Sequence, residues 1–141
     1  MKPLRPVLVG LLLATAGCGG AVVSLPDNVR VQAPASTVPQ NAAAFSAMWQ
    51  GVWDGELPHV LVVEEVTSDG ASVIYAWGDS TAWNRQAGYW RVKGTISDNV
   101  LVVKLERPAT VTYRMQSNGT LDASYEWSGA IARATMRKVV Q

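Results

Sequence analysis

With one cysteine, one histidine and one phenylalanine among 141 residues, the chain rules out several kinds of chemistry from the start. A single thiol, Cys18, allows no internal disulfide and no cysteine metal set, so the folded part must be held by its own core. The single imidazole, His59, allows no histidine metal set and is the one candidate for a histidine general base. Beside Pro58 at an expected strand start, it reads as a surface or turn residue. A Ser80, His59 and Asp79 set can be written down, but nothing in the spacing supports it. Glu64 and Glu65 are adjacent on an expected strand and so should point to opposite faces, which excludes a close carboxylate pair. No glycine-rich phosphate loop precedes a helix. Catalysis, a cofactor and a metal are therefore not expected. Charge of one sign is lacking too: 12 Lys and Arg face 11 Asp and Glu, formally +1 overall. No basic cluster is dense enough for a nucleic-acid stripe.

Long apolar runs are also scarce, and the one that stands out lies at the N-terminus. Lys2 and Arg5 precede an apolar stretch from Pro6 to Ala16, which is a signal-peptide layout. As a helix this stretch would rise only ~17 Å, short of a ~30 Å hydrocarbon core. The residues Thr15, Ala16, Gly17 and Cys18 resemble the lipobox of bacterial lipoproteins, although Thr15 stands where such families place Leu, Val or Ile. The resemblance implies that residues 1–17 are removed and that Cys18, acylated, becomes the first residue and the link to the lipid bilayer. Gly19 rather than Asp after the cysteine favours, by the same resemblance, the outer membrane, facing the periplasm. The alternative is ordinary cleavage at Ala16 or Gly17, leaving a spare thiol.

Residues 18–44 read as the lipidated cysteine and a flexible linker. Pro26, Pro34 and Pro39 are spaced through it and no apolar period persists. The twenty-two residues from Gly19 to Gln40 would span about 25 Å as a flexible chain. Asn41 is placed to cap a short helix through Ala42–Phe45 that ends near Trp49. Residues 45–141 then form one domain of about a hundred residues, enough to bury roughly two thirds of its surface.

Eight segments rich in Val, Ile, Thr, Tyr and Trp follow: 48–54, 59–66, 71–77, 88–97, 100–106, 110–115, 120–127 and 131–139. Asp69-Gly70, Asp98-Asn99 and Asn118-Gly119 suit two-residue hairpin turns, because each tolerates positive φ. Read as a hairpin turn, Asn118-Gly119 needs no glycan to explain it. Leu121, Ala123, Tyr125 and Trp127 alternate with Asp122, Ser124 and Glu126, as in a half-buried antiparallel strand. Leu101, Val103 and Leu105 likewise oppose Lys104 and Glu106. No helical period follows Trp49, so crossover helices are not expected. Eight consecutive antiparallel strands leave two bare edges unless they close, and the expected fold is an all-β, eight-stranded up-and-down barrel.

Gly51-Val52-Trp53 on the first segment resembles the Gly-x-Trp mark of the calycin superfamily, which includes lipocalins, avidins and small bacterial protease inhibitors. In that group the tryptophan closes one barrel end beneath an arginine from the last strand, a role that falls to Arg133 or Arg137. No lipocalin-type helix follows the barrel, and no second lipocalin motif is present. The run Trp49 to Gly55 is also similar to nitrobindin haem barrels, but the late-strand histidine that would hold iron is missing. The stretches Trp53 to Glu65 and Tyr75 to Asp79 resemble small accessory domains of bacterial secreted proteins, some fused to hydrolases, which implies no function.

The longest connection, Gly78 to Ala87, carries Trp83, Asn84 and Arg85, and long loops at a barrel mouth gate ligand sites. Tyr75, Trp77, Tyr113 and Tyr125 fall on positions that face the interior, either as ligand walls or as filled core. Two functions stay open. One is an envelope lipoprotein that binds a small, partly apolar ligand at the mouth. The other is a lipoprotein with a solid barrel that engages or inhibits an envelope protein.

Overall fold

A computed structural model describes residues 23–140 of the chain. The eight strands are β1 (Met48–Trp53), β2 (Leu57–Val66), β3 (Gly70–Trp77), β4 (Gly88–Ser97), β5 (Val100–Leu105), β6 (Ala109–Met115), β7 (Leu121–Trp127) and β8 (Ala130–Lys138). Each pairs antiparallel with its neighbours in sequence, and β1 pairs with β8 to close the barrel. The fold is the up-and-down barrel that the strand spacing predicts, consistent with a calycin-like architecture.

Alternation decides what lies inside. Leu101, Val103 and Leu105 on β5 and Leu121 and Ala123 on β7 are buried, as are Ala132, Ala134 and Met136 on β8. Each of these residues lies two from the next, as a strand buried on one face requires. Ala132 and Ala134 join Trp49, Leu61, Leu101, Leu121 and Met136 in one buried cluster, so the barrel interior is filled by side chains.

Register breaks once. On β2, Val63 pairs with Val73 but Glu65 pairs with Ser72, a β-bulge that uses an extra residue. The interior set therefore passes from Val63 to Val66, with Glu64 and Glu65 both left off it. The expectation that these two carboxylates face opposite sides is corrected by that bulge. Glu64 accepts the Arg30 N–H at 3.0 Å and pairs with Arg91 at 3.2 Å.

The turns differ in detail from expectation. Asp98-Asn99 is a two-residue turn with φ of 50° and 64°. Thr67–Asp69 is instead a three-residue loop, and Gln116–Thr120 closes through Asn118 Oδ1, which accepts the Thr120 N–H at 3.1 Å. Ser128-Gly129, a turn not expected, has φ of 48° and 81° and joins β7 to β8 directly.

The barrel has a base and a mouth. At the base, α1 (Gln40–Ala43) is a single turn. Pro39 rather than Asn41 stands at its N-cap, with the Pro39 carbonyl accepting the Ala42 and Ala43 N–H groups, and the turn ends well before Trp49. Beneath it Phe45 and Trp49 are buried, and the Trp49 indole N–H donates to the Phe45 carbonyl at 3.0 Å. Lys138 Nζ lies 5.5 Å from the Trp49 ring centre. The described part of the expected linker, from Val23, is laid along the outside of β2 and β3, where Val23, Leu25 and Val29 pack on Val62, Ile74 and Ala76.

Candidate functional site

At the mouth, the loops Asp54–Glu56, Gly78–Ala87, Glu106–Pro108 and Ser128–Gly129 surround an opening lined by aromatics. Tyr75 and Trp77 come from β3, Trp90 from β4 and Tyr125 from β7. Tyr75 and Trp90 are cross-strand partners, so both project to the same face, and their rings stack at 6.4 Å. Trp77 and Trp90 meet at 4.7 Å. Opposite them Trp83 lies edge-on to Tyr125 at 6.2 Å. Leu57, Leu105 and Arg85 complete the lining.

The cavity holds about 340 Å³ of empty space counting its open mouth, of which about 20 Å³ accepts the centre of a water molecule. That is room for roughly one water. Trp83 narrows it. Its N–H donates to Glu56 Oε2 at 3.1 Å, and its backbone N–H donates to Ser80 Oγ at 3.2 Å. The loop is closed on itself by the Ser80–Arg85 bridge and by Asp79 Oδ1, which accepts the Ala87 N–H at 2.8 Å. The Trp77 indole donates to the Gln86 carbonyl at 2.7 Å. A tryptophan in a polar loop thus acquires a packing partner, Tyr125, and a carboxylate acceptor from the facing loop.

Below this cavity the interior is sealed and polar at its centre. His59 is 1% exposed, which corrects the expectation of a surface residue. Its place two residues after Leu57 and two before Leu61 puts it on the inward face. Nδ1 lies 2.7 Å from the Ala76 carbonyl, and Nε2 lies 2.7 Å from the Tyr113 hydroxyl. A carbonyl can only accept, so Nδ1 carries the proton and Nε2 accepts the Tyr113 O–H. Burial lowers the His59 pKa to about 4, with the Ala76 carbonyl opposing. The ring stacks on Trp53 at 5.2 Å and tilts against Tyr75 at 4.4 Å. Burial pushes the Tyr113 hydroxyl well above its usual range, with Tyr75 adding to the shift. Tyr75 rises as well, first from burial and then from Tyr125, with the Trp53 N–H and Arg85 opposing. The wholly buried Trp53 N–H has no hydrogen-bond partner, and the Tyr75 hydroxyl stays outside hydrogen-bond geometry with it.

Of the residues singled out in the sequence, Tyr75, Trp77, Trp83, Arg85 and Tyr125 come together in the cavity. Tyr113 lies deeper, on His59, and does not line it. Asn84, at φ 49°, sits in an open polar hollow with Glu56 and Asp79 on the outer side of the loop. Trp90 was missed, although its parity with Val92 and Ile96 on β4 marks it as inward. Ser80, His59 and Asp79 do not assemble: each makes its hydrogen bonds elsewhere.

The signature residues are placed differently from the resemblance. Arg133 and Arg137 are exposed, on positions of β8 that alternate with buried Ala132, Ala134 and Met136. Trp53 lies under His59 and Tyr125 at the mouth end, and the cation-over-indole contact falls on Trp49 and Lys138 at the base. Gly51 serves the seam: a Cβ there would stand 2.6 Å from Met136 Sδ and 2.7 Å from the Thr135 carbonyl. Cys18 lies outside the described residues. Comparison of the chain with protein-family models, with curated proteins and with solved structures finds no match.

Proposed function

We propose that this is a lipid-anchored, non-enzymatic protein of the cell envelope, of calycin type, that holds a small, partly apolar molecule in its barrel mouth. The observation that carries the reading is the aromatic cavity. Trp83 faces the touching pair Trp77 and Trp90 across a gap that is narrow but open, with Arg85 among its lining. A solid core would bury these rings, yet Trp90 remains 37% exposed. Rings supply apolar contact while Arg85 supplies donors for a carboxylate or other anionic group. Since the present space takes one water, a ligand enters by swinging Trp83 away from Glu56, and the Gly78–Ala87 loop is the gate. The anchor rests on the lipobox resemblance at Cys18, and an outer-membrane site on Gly19.

The test uses the Cys18→Ser protein, which keeps every described residue. Native mass spectrometry should show a small molecule carried from the cell or taken up, and its binding should change tryptophan emission. Protein that stays ligand-free and spectrally indifferent across a panel of small amphiphiles contradicts the reading.

A second reading has its own support. β4 pairs with β5 only from Gly94 to Ser97, so its stretch 88–93 presents an unpaired edge beside the mouth. An extended peptide could add there as a strand, as in a protein-binding or inhibitor barrel. Co-purification of one envelope protein, lost on Arg91→Pro in the edge, would favour this reading over a small ligand.

A further inference from the structure

The chain upstream of the barrel departs from the mouth and not from the base. Val23 bridges Gly78, the residue that follows β3 at the mouth rim. From there the chain descends outside β2 and β3, its Val23, Leu25 and Val29 covering Val62, Ile74 and Ala76. It reaches the base end of β2, where Gln32 N–H donates to the Glu64 carbonyl at 2.8 Å. The Ser46 hydroxyl then donates to the Gln32 carbonyl at 3.1 Å, next to the start of β1. The length that the sequence offers as a tether is thus laid along the wall. Cys18 precedes Val23 by five residues, a reach of at most about 18 Å when fully extended.

A second observation concerns exposed apolar groups. Val52 (45% exposed), Tyr89 (42%), Trp90 (37%), Trp127 (48%) and Ile131 (51%) all lie within three residues of the mouth end of their strands. Among the described residues the remaining large exposed hydrophobics are Val31, in the segment before the barrel, and Val140, past β8. Tryptophan and tyrosine are the side chains that suit a headgroup layer, apolar in body with one polar handle. The mouth loops carry Asp54, Glu56, Asp79 and Glu106 against Arg85 and Arg107, so an anionic surface would not attract them.

We infer that the barrel stands mouth-down on a lipid surface with electrically neutral headgroups, seating Tyr89, Trp90, Trp127 and Ile131 at the interface. This rests on the proposed acylation of Cys18, because a tether only about 18 Å long holds the mouth rim near the membrane. Local concentration near the surface then lets a modest apolar rim stay engaged. The proposed ligand cavity opens onto the bilayer, so its occupant exchanges with lipid rather than with bulk water.

The acylated mature protein, beginning at Cys18, tests this in vesicles of phosphatidylcholine and phosphatidylethanolamine. Nitroxide labels are placed at Ser128→Cys in a mouth loop or at Ser117→Cys in a base loop, both exposed positions. Intact mass first reports whether Cys18 carries acyl chains. The label at 128 should collide with a water-soluble nickel chelate several-fold less often than the label at 117. In the unlabelled protein, brominated lipid should quench tryptophan emission, and adding anionic lipid should not strengthen it. An unacylated protein sinks the anchoring reading and the orientation together. An acylated protein with both labels equally accessible, or with 117 the shielded one, or without bromolipid quenching, overturns the orientation alone.

Discussion

His59 Nε2 accepts the Tyr113 hydroxyl hydrogen at 2.7 Å in a part of the barrel from which water is excluded, and this fixes the imidazole as neutral. Protonation of Nε2 would set a donor against a donor and place a charge in an unsolvated interior.

Stability should therefore fall as the solution is acidified. The folded pKa of about 4 lies below the unfolded value of 6.5, so between these limits the unfolded chain binds a proton that the folded chain does not. The loss grows as pH drops from 6.5 toward 4 and amounts to on the order of 3 kcal/mol. Urea unfolding at pH 7 and pH 4.5 measures it. A His59→Gln variant should lose most of this pH dependence, and a profile unchanged in that variant would assign the effect to other groups.

Tyr113→Phe leaves Nε2 without its donor in a sealed site. The cost of an unpaired buried acceptor is about 1 to 3 kcal/mol, and a Tm reduced by several degrees is expected. Circular dichroism at pH 7 reads it directly. A Tm within a degree of the parent would mean that water reaches the site.

Gly51→Ala should destabilise more than Gly70→Ala, whose new methyl would meet its nearest neighbour, the Gly94 carbonyl, at 3.1 Å. The new methyl at Gly51 meets the Thr135 backbone carbonyl at 2.7 Å, which cannot turn aside as a side chain does. Overpacking of this kind costs about 1 to 3 kcal/mol, and here it acts on the β1–β8 seam that closes the barrel. Thermal unfolding and hydrogen exchange of β8 amides should report a loosened seam.

At the base, Lys138→Gln should cost about 0.5 to 1 kcal/mol through the lost contact with Trp49. Arg133→Gln and Arg137→Gln, on the exposed face of β8, should stay within about 0.5 kcal/mol. Larger losses at either arginine than at Lys138 would restore the arrangement that the calycin resemblance implies.

Trp83→Ala should cost about 1 to 3 kcal/mol of stability, since the side chain is partly buried against the core, while removing one wall of the cavity. Ligand uptake, read by native mass spectrometry, should fall at least several-fold. Glu56→Gln weakens the latch on the Trp83 N–H and should speed ligand exchange without abolishing binding.

Strand positions were legible because the period of two is a local property: Leu101, Val103 and Leu105 declare their face wherever the strand ends up. Closure was legible because eight antiparallel strands without helices have few other ways to cover their edges. The aromatic cavity was partly legible, since Tyr75, Trp77 and Tyr125 follow the same parity. Trp90 follows it too, but lacks a tight pattern around it, because Tyr89 and Arg91 flank it near the open end of β4.

Other features depend on contacts between residues far apart in the chain, which no local period encodes. His59 looked like a turn residue beside Pro58, and only the positions of Ala76 and Tyr113 across the barrel supply the two partners that let it be buried. The bulge at Glu64 arises in the pairing with β3 and moves a carboxylate from one face to the other. Arg133 faces outward because Ala132 and Ala134 fill the inside, and Lys138 reaches Trp49 because β8 ends where β1 begins. By itself the sequence determined the elements, their alternation and a closed all-β barrel. The tertiary structure decided which polar groups lie inside, which cation covers which tryptophan, and where the chain leading to Cys18 emerges, because each of these depends on which distant surfaces meet.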